Sequence, residues 1–152
     1  MIPSALDQAP GTLTCLFEVA SRTFAVEIGR AREVRIVDDY TVVPLAPPHV
    51  MGMTNLRGAI IPIVDLRVLL GLPARVGTGH VLVVEANGSR VALAVDRVVG
   101  VEALSDLLEP AETIVDTAGL EQRQLQRGDE AIAVLDVVKI VDSLAVAKEV
   151  GG

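Results

Sequence analysis

The chain has 152 residues, a formal net charge of −7 and a mean hydropathy of +0.50, with 51% hydrophobic residues but only 2% aromatics and no Trp. That length fits one domain or two small subdomains around a core of Val, Leu, Ile and Ala. The acidic balance and the lack of stacking aromatics argue against nucleic-acid binding, and no apolar run approaches the roughly 18–20 residues that cross a bilayer. Met1-Ile2-Pro3-Ser4 opens no secretory pattern, and the single cysteine, Cys15, has no internal disulfide partner; both fit a cytoplasmic protein.

In chain order, apolar runs broken by turn residues predict strands near residues 13–20, 23–28, 32–37, 41–44 and 59–64. Asp65 ends the fifth, and residues 66–70 predict a short helix stopped by Gly71. A linker rich in Pro and Gly, 72–79, leads to strands near 80–86, 90–95, 98–104, 113–116 and 131–135. Residues 136–144 close the chain as a helix, with apolar positions 137, 140, 141 and 144 on one face. Pro62 lies inside a strand pattern and predicts an edge or a bulge there.

The two halves repeat. A shift of 67 aligns Glu18 with Glu85, Ala25 with Ala92, Arg30 with Arg97, Val34 with Val101 and Asp39 with Asp106. A shift of 71 lays the Ile61-Pro62-Ile63-Val64-Asp65 run on Ile132-Ala133-Val134-Leu135-Asp136. The expected fold is mainly β: a single domain over 1–152 made of two five-stranded, SH3-like barrels side by side, near 12–71 and 80–142, with a C-terminal helix. Closing short strands into barrels removes exposed edges.

The richest stretch is residues 55–66, where the turn Asn55-Leu56-Arg57-Gly58 runs into an apolar strand. A turn is needed there, an arginine is not, so Arg57 is the first candidate for a task other than folding; the alternative is a turn arginine that ties down loop carbonyls. The stretch resembles the signature of the CheW-like domain, the adaptor module of bacterial chemosensory arrays. The resemblance extends to the hairpin over 16–28, to Ala31-Arg32-Glu33-Val34, to the proline bend from Val43-Pro44 to Gly52, and to the strand over 91–98. It spans about residues 13–144 and implies two adjoining five-stranded barrels.

The resemblance implies a non-enzymatic adaptor without a cofactor, recruited to membrane-associated chemoreceptor arrays. Its partners would be the CheW-like regulatory domain of a CheA-type histidine kinase and the cytoplasmic tip of a methyl-accepting chemoreceptor. Other CheW-like domains are further candidates; nucleic acid and direct membrane insertion are not. Arg57, with Asn55 beside it, would contact partners. Glu33 would lie at the same surface, although a strand glutamate is often only solvated, and a Glu33–Arg57 pair is conceivable. Ile28, Ala31, Val81, Leu82 and Ala92 would line an apolar groove for the receptor tip, against the plain reading that such residues are core.

The second reading is a β-barrel binding module for an unrelated protein partner or small ligand. Catalytic patterns are sparse. His49 and His80 are far apart, one cysteine cannot make a zinc site, and Val76-Gly77-Thr78-Gly79 lacks the lysine of a phosphate loop. Asp116-Thr117-Ala118 departs from the aspartic-protease triplet at Ala118. Asp65 and Asp136 fall at equivalent repeat positions and Asp96 also follows a strand, which favours turn or helix capping over acid–base chemistry.

Overall fold

The computed structural model describes residues 11–74, 79–107 and 117–150, with side chains up to 144 in the last helix. The strands are β1 (Thr12–Val19), β2 (Arg22–Glu27), β3 (Ala31–Val37), β4 (Val50–Leu56), β5 (Ala59–Asp65), β6 (Gly79–Ala86), β7 (Ser89–Ala94), β8 (Arg97–Asp106), β9 (Glu121–Arg127) and β10 (Glu130–Leu135). A 3-10 turn over Ile28–Arg30 precedes β3, α1 (Leu66–Leu69) follows β5, and α2 (Val137–Val150) follows β10.

The strands form two five-stranded units. One is a closed barrel in the order β1-β2-β10-β9-β8; the other is a sheet in the order β3-β6-β7-β5-β4. The expected pair of barrels is thus met by one closed barrel and one sheet left open between β3 and β4. There the described backbone pairing is the single bridge Thr41↔Met53.

The units do not coincide with the sequence halves 12–71 and 80–142. The hairpin β1–β2 joins β8–β10, and the hairpin β6–β7 joins β3–β5. The repeat is nevertheless built into the pairing. Leu16↔Gly100 and Phe17↔Val98, with Val99 bulged out, recur as Val83↔Glu33 and Val84↔Ala31, with Arg32 bulged out. The parallel pair Val134↔Ala25 recurs as Ile63↔Ala92. Periodicity shows which strands are alike, but not which copy each one pairs with. The chain crosses between units at the 3-10 turn and again at Val95-Asp96, where the Asp96 N–H donates to the Glu18 carbonyl at 2.9 Å.

Both fourth strands differ from expectation. Residues 41–44 form only the isolated bridge at Thr41, and the strand is β4, VMGMTNL; in the second half it is β9, EQRQLQR, while 113–116 lies outside the described residues. Neither sequence has strong strand propensity, so antiparallel pairing with β5 and β10 holds them. Gly52 permits a close approach here: a Cβ would collide with the Thr41 carbonyl and the Tyr40 ring. Pro62 pairs with Met53, just ahead of the residues through which β5 joins β7, so its missing N–H costs no ladder bond on that side.

Alternation sorts the core. Cys15, Phe17, Val19, Phe24 and Val26 face Leu82, Val84, Val91 and Leu93 between the units, and Val137, Ile140 and Val141 of α2 join them. The Phe17 and Phe24 rings stack with centroids 6.3 Å apart. A second cluster, including Val37, Ile61, Ile63, Val81 and Ala92, fills the inner face of the open sheet, and a third, including Leu16, Leu125 and Ile132, fills the barrel. Each fully buried large side chain contributes roughly 1.5–3 kcal/mol.

Candidate functional site

Arg57 and Gly58 form the two-residue turn between β4 and β5, with φ of +53° and +82°. Such hairpin turns need left-handed backbone at both positions and favour Asn-Gly, as the turn Asn87-Gly88 between β6 and β7 shows with φ of +52° and +79°. For an arginine the left-handed region costs about 1–2 kcal/mol. Asn55 steadies the turn, its Oδ1 accepting the Gly58 N–H at 3.0 Å. The arginine therefore sits where the turn alone would select another residue, and its side chain is 72% exposed.

Its guanidinium reaches across the open edge. Arg57 Nη2 lies 3.1 Å from Glu33 Oε2, the same oxygen that lies 3.5 Å from Arg35 Nε. Glu33 pairs in register with Val83, which places it on the inner side of the sheet. A Thr54 hydroxyl donating to the Asp39 carbonyl at 3.2 Å closes the far end of the seam. Arg57, Glu33 and Asn55 thus come together at one end of the open sheet.

The groove residues separate. Ile28 is exposed in the 3-10 turn and Ala31 is half-buried against the core between the units. Val81, Leu82 and Ala92 are buried, at 2%, 1% and 0% exposure, and offer no surface to a partner. The reason is their place on β6 and β7, strands with neighbours on both sides and apolar clusters on both faces. Accessible apolar side chains lie one strand out. Val34 is the cross-strand neighbour of Leu82, and Ile36 that of His80. On the barrel, Val101 stands opposite Cys15 and Leu13 opposite Ala103.

The strand-ending carboxylates are structural. Asp65 Oδ1 accepts the Arg67 N–H at 3.0 Å at the start of α1, and Asp136 Oδ1 accepts the Lys139 N–H at 3.3 Å at the start of α2. Asp96 takes two bonds from Arg67, at 3.1 and 2.7 Å, and one from the Ala20 N–H at 2.8 Å, fastening α1 to the second crossover and to the β1–β2 turn; its hydrogen bonds raise the Arg67 pKa. Burial pushes the Cys15 thiol up and the His49 imidazole down. Among the described residues no group of three or more His, Cys, Asp or Glu is placed to hold a metal ion. No helix of the described residues is long and apolar enough to cross a membrane. Asp116 of the protease-like triplet lies outside the described residues.

Sequence reasoning passed over Arg32, Glu85 and Arg90 at the same end. Arg32 Nη2 and Arg90 Nε lie 3.2 and 2.8 Å from the two Glu85 oxygens and lower its pKa. The available signal was the run Arg30-Ala31-Arg32-Glu33-Val34-Arg35, three cations in six residues of an acidic chain.

The CheW-like domain model matches residues 14–145. The chain is 39% identical over 118 residues to the chemotaxis protein CheW of Rhizobium meliloti strain 1021, covering 76% of this chain and 75% of that one. It is 29% identical over 136 residues to CheW of Thermotoga maritima, covering 88% and 90%. Among solved structures, the scaffolding protein TtCheW from Thermoanaerobacter tengcongensis superposes with a TM-score of 0.70 at 26% identity, covering 82% of this chain and 88% of that one.

Proposed function

The chain belongs to the CheW-like domain family, a family of scaffolds and adaptors, and from that premise we propose that it couples chemoreceptors to a CheA-type histidine kinase by binding both. One surface takes the CheW-like regulatory domain of the kinase, and another takes the cytoplasmic tip of the receptor. Holding both in one array lets the receptor state bias the kinase, a coupling by linkage that needs no chemistry in the adaptor. The protein then works on the cytoplasmic side of the membrane as a non-enzymatic part of the array.

The observation that carries this reading is Arg57: an exposed arginine held left-handed against its own preference, poised on Glu33, within a family match over 14–145. Arginine forks suit interface anchors because they make several directed bonds at once. For the receptor, Ile28 and Ala31 remain the groove candidates, and Val34, Ile36, Val101 and Leu13 replace the buried positions.

The test is a pull-down from lysate on immobilised protein, with Arg57→Glu in parallel and partners identified by mass spectrometry. Recovery of a histidine kinase and a chemoreceptor, both reduced by Arg57→Glu, is expected. Recovery of neither by a folded protein would refute the reading and favour a binding module for an unrelated partner.

A further inference from the structure

The open sheet ends in a ring of charge. Strands β5 and β7 run parallel with Ile63 beside Ala92, so the turns Arg57-Gly58 and Asn87-Gly88 lie at the same end. Strand β3 is antiparallel to β6 and begins there too. Around this rim two carboxylates are each held by two arginines: Glu33 by Arg57 and Arg35, and Glu85 by Arg32 and Arg90. The bulge that ejects Arg32 from the β3–β6 ladder links the two sets, because it lets the neighbours Arg32 and Glu33 belong to different clusters.

Charge and exposure are both lopsided. Each carboxylate with its two guanidiniums carries a net charge of +1, and Arg30 precedes the first residue of β3. The carboxylates are the shielded members, at 21% and 26% side-chain exposure, whereas the arginines range from 37% to 72%. The anions sit inside and the cations face out, on a chain whose overall charge is −7. Folding alone does not ask for this, since one arginine per carboxylate suffices for an ion pair. Two planar forks on one carboxylate leave N–H groups for a second carboxylate.

We propose that this rim is a docking surface for an acidic segment of a protein partner, whose Asp or Glu side chains bind Arg32 and Arg90 as well as Arg57 and complete two four-membered clusters of arginines and carboxylates. The inference builds on the reading of Arg57 as a partner contact. It adds the Glu85 arm and the chemistry of what docks there. Neutral or basic segments gain nothing from the rim, and the chain's own negative charge holds acidic ones off elsewhere.

The test uses the purified full chain and a short fluorescein-labelled oligoglutamate peptide, followed by fluorescence anisotropy at low salt, with oligoglutamine as control. Expected are saturable binding of oligoglutamate only, its loss at high salt, and weakening by roughly tenfold for Arg32→Gln or Arg90→Gln. Arg123→Gln, on the barrel, leaves binding unchanged. Glu85→Gln tightens it, because one anion leaves the rim while both cations stay. Circular dichroism checks that each variant is folded. Absent saturable binding, equal weakening by Arg123→Gln, or weaker binding by folded Glu85→Gln would overturn the proposal. Kinase and receptor capture is measured separately: capture without oligoglutamate binding removes the rim alone, and oligoglutamate binding without capture leaves the rim and removes the adaptor reading.

Discussion

The closed barrel and the open sheet share strand order and bulge positions, yet they treat charge in opposite ways. On the barrel each described carboxylate pair is one-to-one: Glu18 with Arg97 at 2.5 Å, Glu27 with Arg123 at 3.2 Å and Glu102 with Arg127 at 2.8 Å. On the sheet, two carboxylates hold four arginines. Closure differs in the same sense. Backbone pairs Ser105↔Gln126 and Asp106↔Leu125 zip β8 to β9, whereas the seam between β3 and β4 has the single backbone bridge Thr41↔Met53 beside side-chain contacts, with Arg57 and Glu33 at the mouth. A duplicated scaffold can close one copy and neutralise its rim while the other stays open with surplus cations. Under the rim proposal the open copy is the one that takes a partner.

The sharpest way to break this comparison is to separate the halves. Each half supplies strands to both units, so residues 11–74 alone lack β6 and β7 between β3 and β5, and lack the barrel partners of β1 and β2. The expected outcome is an unfolded fragment by circular dichroism and amide NMR dispersion, with structure regained on mixing with residues 79–150. A fragment that folds alone would mean that the halves are the true subdomains.

A smaller effect separates the two helix caps. Asp65 and Asp136 occupy equivalent repeat positions and both accept N–H bonds, but Asp65 is 3% exposed and its bond is the shorter. Asp65→Ala is expected to cost about 1–2 kcal/mol and Asp136→Ala about 0.5–1 kcal/mol in urea unfolding. Equal losses would show that burial of the first cap adds nothing.

How much of this was legible depends on where the controlling force sits. Strands such as β1, β2, β6 and β7 announce themselves because alternation and turn chemistry are local, and the caps at Asp65 and Asp136 follow from their place after apolar runs. The fourth strands were hidden because β4 and β9 are made by their neighbours: VMGMTNL and EQRQLQR carry little preference of their own. The exchange of hairpins was invisible for a different reason, since like strands in a repeat can pair within or between halves at the same register. At the site, Arg57 and Glu33 were legible from motif and chemistry. Val81, Leu82 and Ala92 were misplaced because an apolar strand residue reads alike whether its sheet face is covered or bare. Arg32 was missed because the bulge that brings it to Glu85 leaves no mark beyond the cation run over 30–35, and Arg90 because its place opposite Glu85 comes from the register of the β6–β7 hairpin.

The smallest expected effect concerns His49, whose imidazole ties α2 to the open sheet where, on the barrel side, Lys139 Nζ of α2 donates to the Gly119 carbonyl at 3.2 Å. Its Nε2 lies 3.3 Å from Ser143 Oγ, which itself donates to the Ile140 carbonyl at 2.6 Å, and its backbone carbonyl accepts the Asp65 N–H at 2.7 Å. Desolvation lowers its pKa from 6.5, so the folded state disfavours the proton that the unfolded chain binds freely. Stability from the neutral imidazole is full above the unfolded value and is lost as pH falls through 6.5 towards the lower folded value. Melting temperatures at about pH 7.5 and about pH 5.5 are expected to drop less for His49→Gln than for the parent, because Gln keeps a donor for Ser143 without a titration. The rim's ion pairs, Glu33 with Arg57 and Arg35 and Glu85 with Arg32 and Arg90, do not involve His49, so oligoglutamate binding by the folded protein should hold steady while the melting temperature falls. An equal drop in both proteins would place the pH sensitivity elsewhere, and binding that weakens in step with stability would mean that the rim depends on the α2 contact.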